Sequence, residues 1–277
     1  MPRRIIIHAG FHKTGTTTLQ ATLRENRTTL KKHIALRLRW HMKDIVAASR
    51  GYSTDQDPLA LIKVQSRFGS MMNALPGMPR RTLIISAEEL SGHLPGRGDL
   101  MDYAAAPVLI YAYWEIAKAR YPQAEVLIYL STRSPTAWLA SAYWEHVKSS
   151  NMTMDFDAFS TRYIKAAKLD DMVTEIASRV PAPVYAHALE DCRDLALGPA
   201  DPLLDLCDLP QTLRSELVAV PPATNGLAMT FCTRCWKPTE FTKPLPHATR
   251  PKQPFLQRRA THETFPLSRS PIGAGQP

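Results

Sequence analysis

The stretch Ile5-Ile6-Ile7-His8-Ala9-Gly10-Phe11-His12-Lys13-Thr14-Gly15-Thr16-Thr17-Thr18-Leu19-Gln20 decides how the chain reads. Three consecutive β-branched residues mark a short buried strand. Gly10 and Gly15 permit the tight turn and the close approach of an anion. Thr16 then opens a helical pattern. A strand running through a glycine-containing loop into a helix aims several backbone N–H groups and a helix N-terminus at one point, which makes an anion cradle. The spacing is close to the Walker pattern G-x-x-x-x-G-K-[ST]. Gly10, Gly15 and Thr17 fit it, but Thr16 stands where the lysine belongs. The loop's lysine is Lys13, three residues earlier. An ATPase needs that lysine on its β- and γ-phosphates with Mg²⁺ beside them. A loop that keeps the cradle and moves the cation favours a ligand with one phosphate-sized anion and an activated group attached, handled without a metal.

Working outward, the chain alternates strand and helix. Helical segments are expected over Thr16 to Lys32, with Leu19, Leu23 and Leu30 as apolar marks, and over Asp57 to Leu75, with Leu61, Val64 and Phe68 on one face. Further helices are expected over Val108 to Arg120, from Ser134-Pro135 onward, over Phe156 to Lys168 and over Asp170 to Arg179. Ser134 reads as an N-cap and Pro135 as the first helical residue. Strands are expected at Arg4 to Ala9, Thr82 to Ser86, Glu125 to Leu130 and Pro183 to His187. The Glu125 to Leu130 run lacks polar alternation, as in a parallel sheet covered on both faces. The expected fold is therefore α/β: a central parallel sheet in a three-layer α/β/α arrangement of the P-loop nucleotide-binding type.

The 277 residues carry a net charge of +9. From Met229 onward eight basic residues face only Glu240 and Glu263, so most of that charge sits in the C-terminal stretch. The body, residues 1 to 228, is mildly basic, which suits one anion site and argues against a duplex-binding surface. Residues 229 to 277 are proline-rich and without period, so they are expected to be disordered. The abruptness of the change suggests a shifted reading frame or otherwise aberrant C-terminus. Translation of the other frames of the coding DNA checks this: a frame that continues the α/β pattern supports it. Four cysteines are present. Cys232 and Cys235 have the spacing of half a zinc site, but no second pair follows, so Cys192, Cys207, Cys232 and Cys235 read as free thiols of a cytoplasmic chain. No apolar run is long enough to span a bilayer.

The segment from His8 to Gln20 resembles the 5′-phosphosulfate-binding motif of the sulfotransferase family, particularly its bacterial members. Those enzymes use 3′-phosphoadenosine 5′-phosphosulfate (PAPS) as sulfuryl donor. The resemblance implies that Lys13, Thr14, Gly15, Thr16 and Thr17 hold the 5′-phosphosulfate, with Lys13 also catalytic and no metal required. A second segment, Tyr129 to Tyr143, resembles the family's 3′-phosphate motif, which implies that Arg133 and Ser141 share the 3′-phosphate. The family usually has Asp after that arginine, where this chain has Ser134. In related enzymes a Glu or His after the strand ending at Ser86 acts as base. Glu88 matches best, with His12 and His93 as rivals. Ser86-x-x-Glu89 also fits a helix capping box, in which Glu89 caps and Glu88 faces the cleft.

The resemblance thus implies sulfuryl transfer from PAPS to a hydroxyl or amine of a small-molecule or glycan acceptor, with no nucleic-acid partner. Trp138, Tyr143 and Trp144 are either a sugar platform or core. Two other classes stay open: a small-molecule kinase using ATP and Mg²⁺, and a nucleotide-binding protein without catalysis.

Overall fold

The computed structural model describes residues 1–149 and 152–221. The expected body boundary at residue 228, the proline-rich stretch, Cys232 and Cys235 lie outside the described residues. Among the described residues five strands form one sheet: β1 (Arg4–His8), β2 (Ile34–Leu38), β3 (Thr82–Ser86), β4 (Glu125–Thr132) and β5 (Val184–Ala188). Their order is β2-β3-β1-β4-β5, and each neighbouring pair is parallel. Among the described residues ten α-helices connect or follow them: α1 (Thr16–Glu25), α2 (Arg27–Leu30), α3 (Lys43–Asp55), α4 (Pro58–Asn73), α5 (Ala106–Arg120), α6 (Pro135–Ser149), α7 (Phe156–Tyr163), α8 (Leu169–Arg179), α9 (Asp201–Asp205) and α10 (Gln211–Ser215).

The strands are apolar on both faces because both faces are covered. Ile5 and Ile7 pack with Val64, Phe68, Leu109, Tyr113, Trp138 and Ile176 beneath the helices α3 to α8. Ile6 turns the other way and packs with Leu19 and Leu23 of α1, Leu30 of α2, and Leu203 and Leu204 of α9. The result is the three-layer α/β/α arrangement expected. Among the described residues no helix is long and apolar enough to cross a membrane.

Several boundaries differ from expectation. The helix expected over Thr16 to Lys32 breaks at Asn26. That side chain donates to the Thr22 carbonyl (2.9 Å) and exchanges two 2.8 Å hydrogen bonds with the Val218 backbone, so it competes with helix continuation. The helix expected over Phe156 to Lys168 is regular only to Tyr163 and then turns. The capping box at Ser86 and Glu89 does not form. Ala87 occupies the N-cap position of a 3₁₀ turn over Glu88–Ser91. The Ser86 hydroxyl instead meets His8 Nδ1 at 2.8 Å, and Glu89 pairs with two arginines. At the start of α6 the Ser134 N–H and hydroxyl both donate to Glu190 (3.2 and 3.1 Å), which places a carboxylate beside the helix N-terminus. β2 and α3 carry no clear periodic signal in the sequence; burial against β3 and α4 brings them into the fold.

Candidate functional site

β1 leads out to the edge strand β2 while its neighbour β3 leads across it to β4, so the connections from these two adjacent strands run in opposite directions. In open α/β sheets this switch point is where ligands bind, outside the carboxyl ends of the strands. Residues 9–15 and 133–134 both emerge there. The loop after β1 is tied to β4: Phe11 N–H donates to the Ser131 carbonyl (3.1 Å), Ser131 N–H to the Gly10 carbonyl (2.6 Å). Gly10, Lys13 and Gly15 all have positive φ, at 95°, 65° and 87°. Positive φ recurring at this spacing curls successive N–H groups toward one side. A Cβ at Gly10 would lie 2.9 Å from the Glu88 carbonyl oxygen, a backbone atom, so that position requires glycine; at Gly15 it is the left-handed φ that favours glycine. The first helical bond of α1 runs from Leu19 N–H to the Gly15 carbonyl. The N–H groups of Lys13 to Thr17 donate to no acceptor among the described residues. Five backbone donors are thus left without a partner at a helix N-terminus.

This turn opens into a cleft of about 1010 Å³. His12, Lys13, Gly15, Thr16 and Thr17 line it, together with Arg133, Ser141 and Glu88, so the structure brings nearly every expected site residue to one place. Thr14 is the exception in its side chain: it is buried, and its hydroxyl donates to the Phe11 carbonyl (2.5 Å), leaving only its backbone for a ligand. Lys13 Nζ lies 3.0 Å from Glu145 Oε2 on α6. Arg133 Nη1 donates to the Lys13 carbonyl (3.0 Å), clamping the end of β4 to the loop, and its Nε lies 4.0 Å from Glu190. Burial holds the Arg133 guanidinium below its ordinary value. Ser141 sits two turns into α6 and faces the same space.

The two glutamates after β3 differ sharply. Glu88 is half-buried and accepts from Gln20 Nε2 of α1 at 3.2 Å. Burial, then the Glu89 charge, push its carboxyl up. The Glu89 side chain is only 3% exposed, and its Oε1 meets Arg39 (2.6 Å) and Arg50 (2.5 Å). Burial would raise its pKa, but Arg50 and Arg39 outweigh that and hold it below the usual range. His12 and His93 are both neutral at physiological pH, since burial lowers them to about 3 and about 4. Behind the loop, His8 bridges Ser86 (2.8 Å) and Ser131 (3.0 Å), so one buried imidazole links the ends of β3, β1 and β4.

Trp138 and Tyr143 of α6 belong to the core and form no platform; Trp144 is partly exposed and packs in neither core cluster. Trp138 is fully buried, its Nε1 donating to the His12 carbonyl (3.0 Å), and Tyr143 packs against Phe156 and Phe159. Cys192 and Cys207 are buried free thiols. No cluster of three or more candidate metal ligands exists among the described residues. Sequence reasoning missed Arg39, Arg50, Glu145 and Glu190. Arg39 and Arg50 sit on the unassigned β2 to α3 segment, and only the long-range fold places any of the four.

The architecture is P-loop-like. Sheet order and loop geometry carry that statement. No family model matches the chain. No curated protein matches it either. Among solved structures, one from Chloroflexus aurantiacus, provisionally described as a kinase, aligns at 15% identity with a TM-score of 0.34, over 73% of this chain and 95% of that one. So distant a likeness carries no argument about what this chain does.

Proposed function

We propose that this chain is a sulfotransferase that moves a sulfuryl group from PAPS to a hydroxyl or amine of an acceptor. The observation that carries the reading is the unengaged row of N–H groups from Lys13 to Thr17 with its cation on the loop, ahead of the ATPase position. Those donors suit a single 5′-phosphate with its attached sulfuryl group. The cleft volume suits a nucleotide with an acceptor beside it.

In this reading Thr16 and Thr17 add their hydroxyls to the backbone cradle. Lys13 swings from Glu145 to neutralise the charge that develops on the leaving phosphate oxygen. Glu88 takes the proton of the attacking hydroxyl as the new O–S bond forms, because burial and the Glu89 charge raise its carboxyl above the ordinary value and it lies beside the loop. Glu89, clamped by two arginines, is a poor base, and so are His12 and His93 with their depressed values. Arg133 and Ser141 hold the 3′-phosphate, Arg133 releasing Glu190 as it does so.

A kinase remains the second reading, because Gly10, Gly15 and Thr17 keep the Walker outline and Glu88 follows the strand beside β1. Titration with 3′-phosphoadenosine 5′-phosphate, AMP and Mg-ATP separates the two. The sulfotransferase reading expects the first to bind best. It also expects Arg133→Ala to weaken that ligand far more than AMP. Tight Mg-ATP binding, or equal losses for both nucleotides in Arg133→Ala, would sink it. Ligand binding without any sulfate transfer would mark a nucleotide-binding protein without catalysis.

A further inference from the structure

Residues 21 to 41 hold six lysines and arginines and one acid, Glu25. The fold gathers them on the edge of the sheet formed by β2. Arg24 lies on α1, Arg27 on α2, Arg37 on β2, and Arg81 precedes β3 beside them. None of these four guanidiniums forms an ion pair with a carboxylate among the described residues. Arg37 and Arg81 reach only backbone carbonyls. Burial, together with the charges of Arg27 and Arg81, holds Arg37 below its ordinary value. Trp40 stands in this field, 44% exposed, with the Arg24 guanidinium 5.8 Å from its ring. Arg24, Arg27, Trp40 and His41 line a second cleft of about 330 Å³.

This basic edge joins the donor cleft through the chain itself. Arg39, the residue before Trp40, lines the main cleft and shares Glu89 with Arg50. Arg50 Nε is buried and has no hydrogen-bond partner among the described residues. Arg39 and Arg50 both meet the same Glu89 oxygen, with Glu88 as the next acid beside them, and the cations without a carboxylate partner on this edge are Arg24, Arg27, Arg37 and Arg81. Clustered cations without counter-ions repel one another, and the stabilising partner is an anion that spans them. A single exposed indole beside an arginine offers one apolar ring face and one charge, which suits a sugar bearing an anion. Single-stranded nucleic acid is held on a series of aromatic platforms, and this edge has one.

The geometry points to an anionic saccharide of two or more sugars as the acceptor, its first anionic group on Arg39 and Arg50 and its next sugar on Trp40 with Arg24 and Arg27. That this saccharide is an acceptor rests on the sulfotransferase reading above; the binding track does not.

The test is calorimetric titration of the full chain, with and without saturating 3′-phosphoadenosine 5′-phosphate. Three probes are used: a uronic-acid tetrasaccharide, the same tetrasaccharide with its carboxyls reduced to alcohols, and a single-stranded oligonucleotide. The expected result is binding of the acidic tetrasaccharide about tenfold or more tighter than the neutral one. Trp40→Ala, and separately Arg24→Gln with Arg27→Gln, should each weaken it about fivefold or more while nucleotide affinity holds. Failure of both saccharides to bind, equal affinity for the two, or unchanged affinity in both variants overturns the inference, and tighter oligonucleotide binding transfers the edge to nucleic acid. Failure of the nucleotide to bind sinks the donor assignment alone, because the saccharide titration is also read without it.

Discussion

Glu88 and Glu89 are neighbours in the chain, yet burial and partners push their carboxyls in opposite directions. For Glu88 as base, the reacting form is the carboxylate. Its raised value means that kcat falls as pH drops through a region above the ordinary carboxylate range, and Glu88→Gln should abolish that acid limb along with most of the rate. A pH–rate profile of both proteins checks this; an unchanged limb in Glu88→Gln assigns the base elsewhere. Lys13 is the other single residue on which turnover turns. Lys13→Ala should lower sulfuryl transfer on the order of 10²-fold, the usual scale for one lost transition-state donor. The circular-dichroism spectrum should stay unchanged, since the side chain's one ion pair is with Glu145 near the surface. Near-normal turnover of that variant would remove it from the mechanism. Lys13 could be read from sequence because loop spacing alone sets its place. Glu145 could not: it lies 132 positions away and meets Lys13 only when α6 folds over the loop.

Among the elements, the three central strands share one buried device. His8 sits between Ser86 and Ser131, and its pKa is lowered by burial to about 3 against 6.5 when unfolded. A depressed histidine stabilises the fold fully above its unfolded value and loses that contribution as pH falls toward the folded one. Each unit is worth about 1.4 kcal/mol, so the loss between about pH 6.5 and 4.5 is roughly 2–3 kcal/mol from His8. His12 and His93 add to it with the same sign. Urea midpoints at neutral and mildly acidic pH read this directly, and His8→Gln should narrow the difference. A pH dependence identical to that of the wild type would mean that His8 binds a proton equally readily in the folded and unfolded chain. The strands themselves were legible because runs such as Ile5 to Ile7 and Leu83 to Ile85 are apolar without alternation. β2 was not, because Arg37 interrupts a short run whose burial depends on α3 and β3.

At the scale of the whole molecule, the segment after β5 returns to the first half of the fold. Asn26 holds Val218, Arg4 reaches Asp208, and Leu203 and Leu204 complete the core beneath α1. Leu189 and Pro199 press against Gly15, so this segment also forms one wall of the loop. A ligand in the cleft touches both ends of the described chain and should stabilise them together. At 100 times its Kd, 3′-phosphoadenosine 5′-phosphate should add about 2.7 kcal/mol, a rise in melting temperature of roughly 5–10 °C for a domain of this size. A scanning thermal melt measures it, and a shift no larger than with AMP contradicts the 3′-phosphate assignment.

The sequence by itself determined the α/β alternation, the strand–loop–helix turn at residues 5 to 20 and the candidate cation on it. These depend on near-neighbour physics: side-chain period, glycine freedom and helix ends. Only the tertiary structure decided that Arg39 and Arg50 clamp Glu89 and leave Glu88 raised, that Glu145 and Glu190 face Lys13 and Arg133, and that His8 joins three strands. Those relations join groups far apart in the chain. Their energies come from burial and from charges brought close, which exist only once the sheet order β2-β3-β1-β4-β5 has set the strand ends side by side.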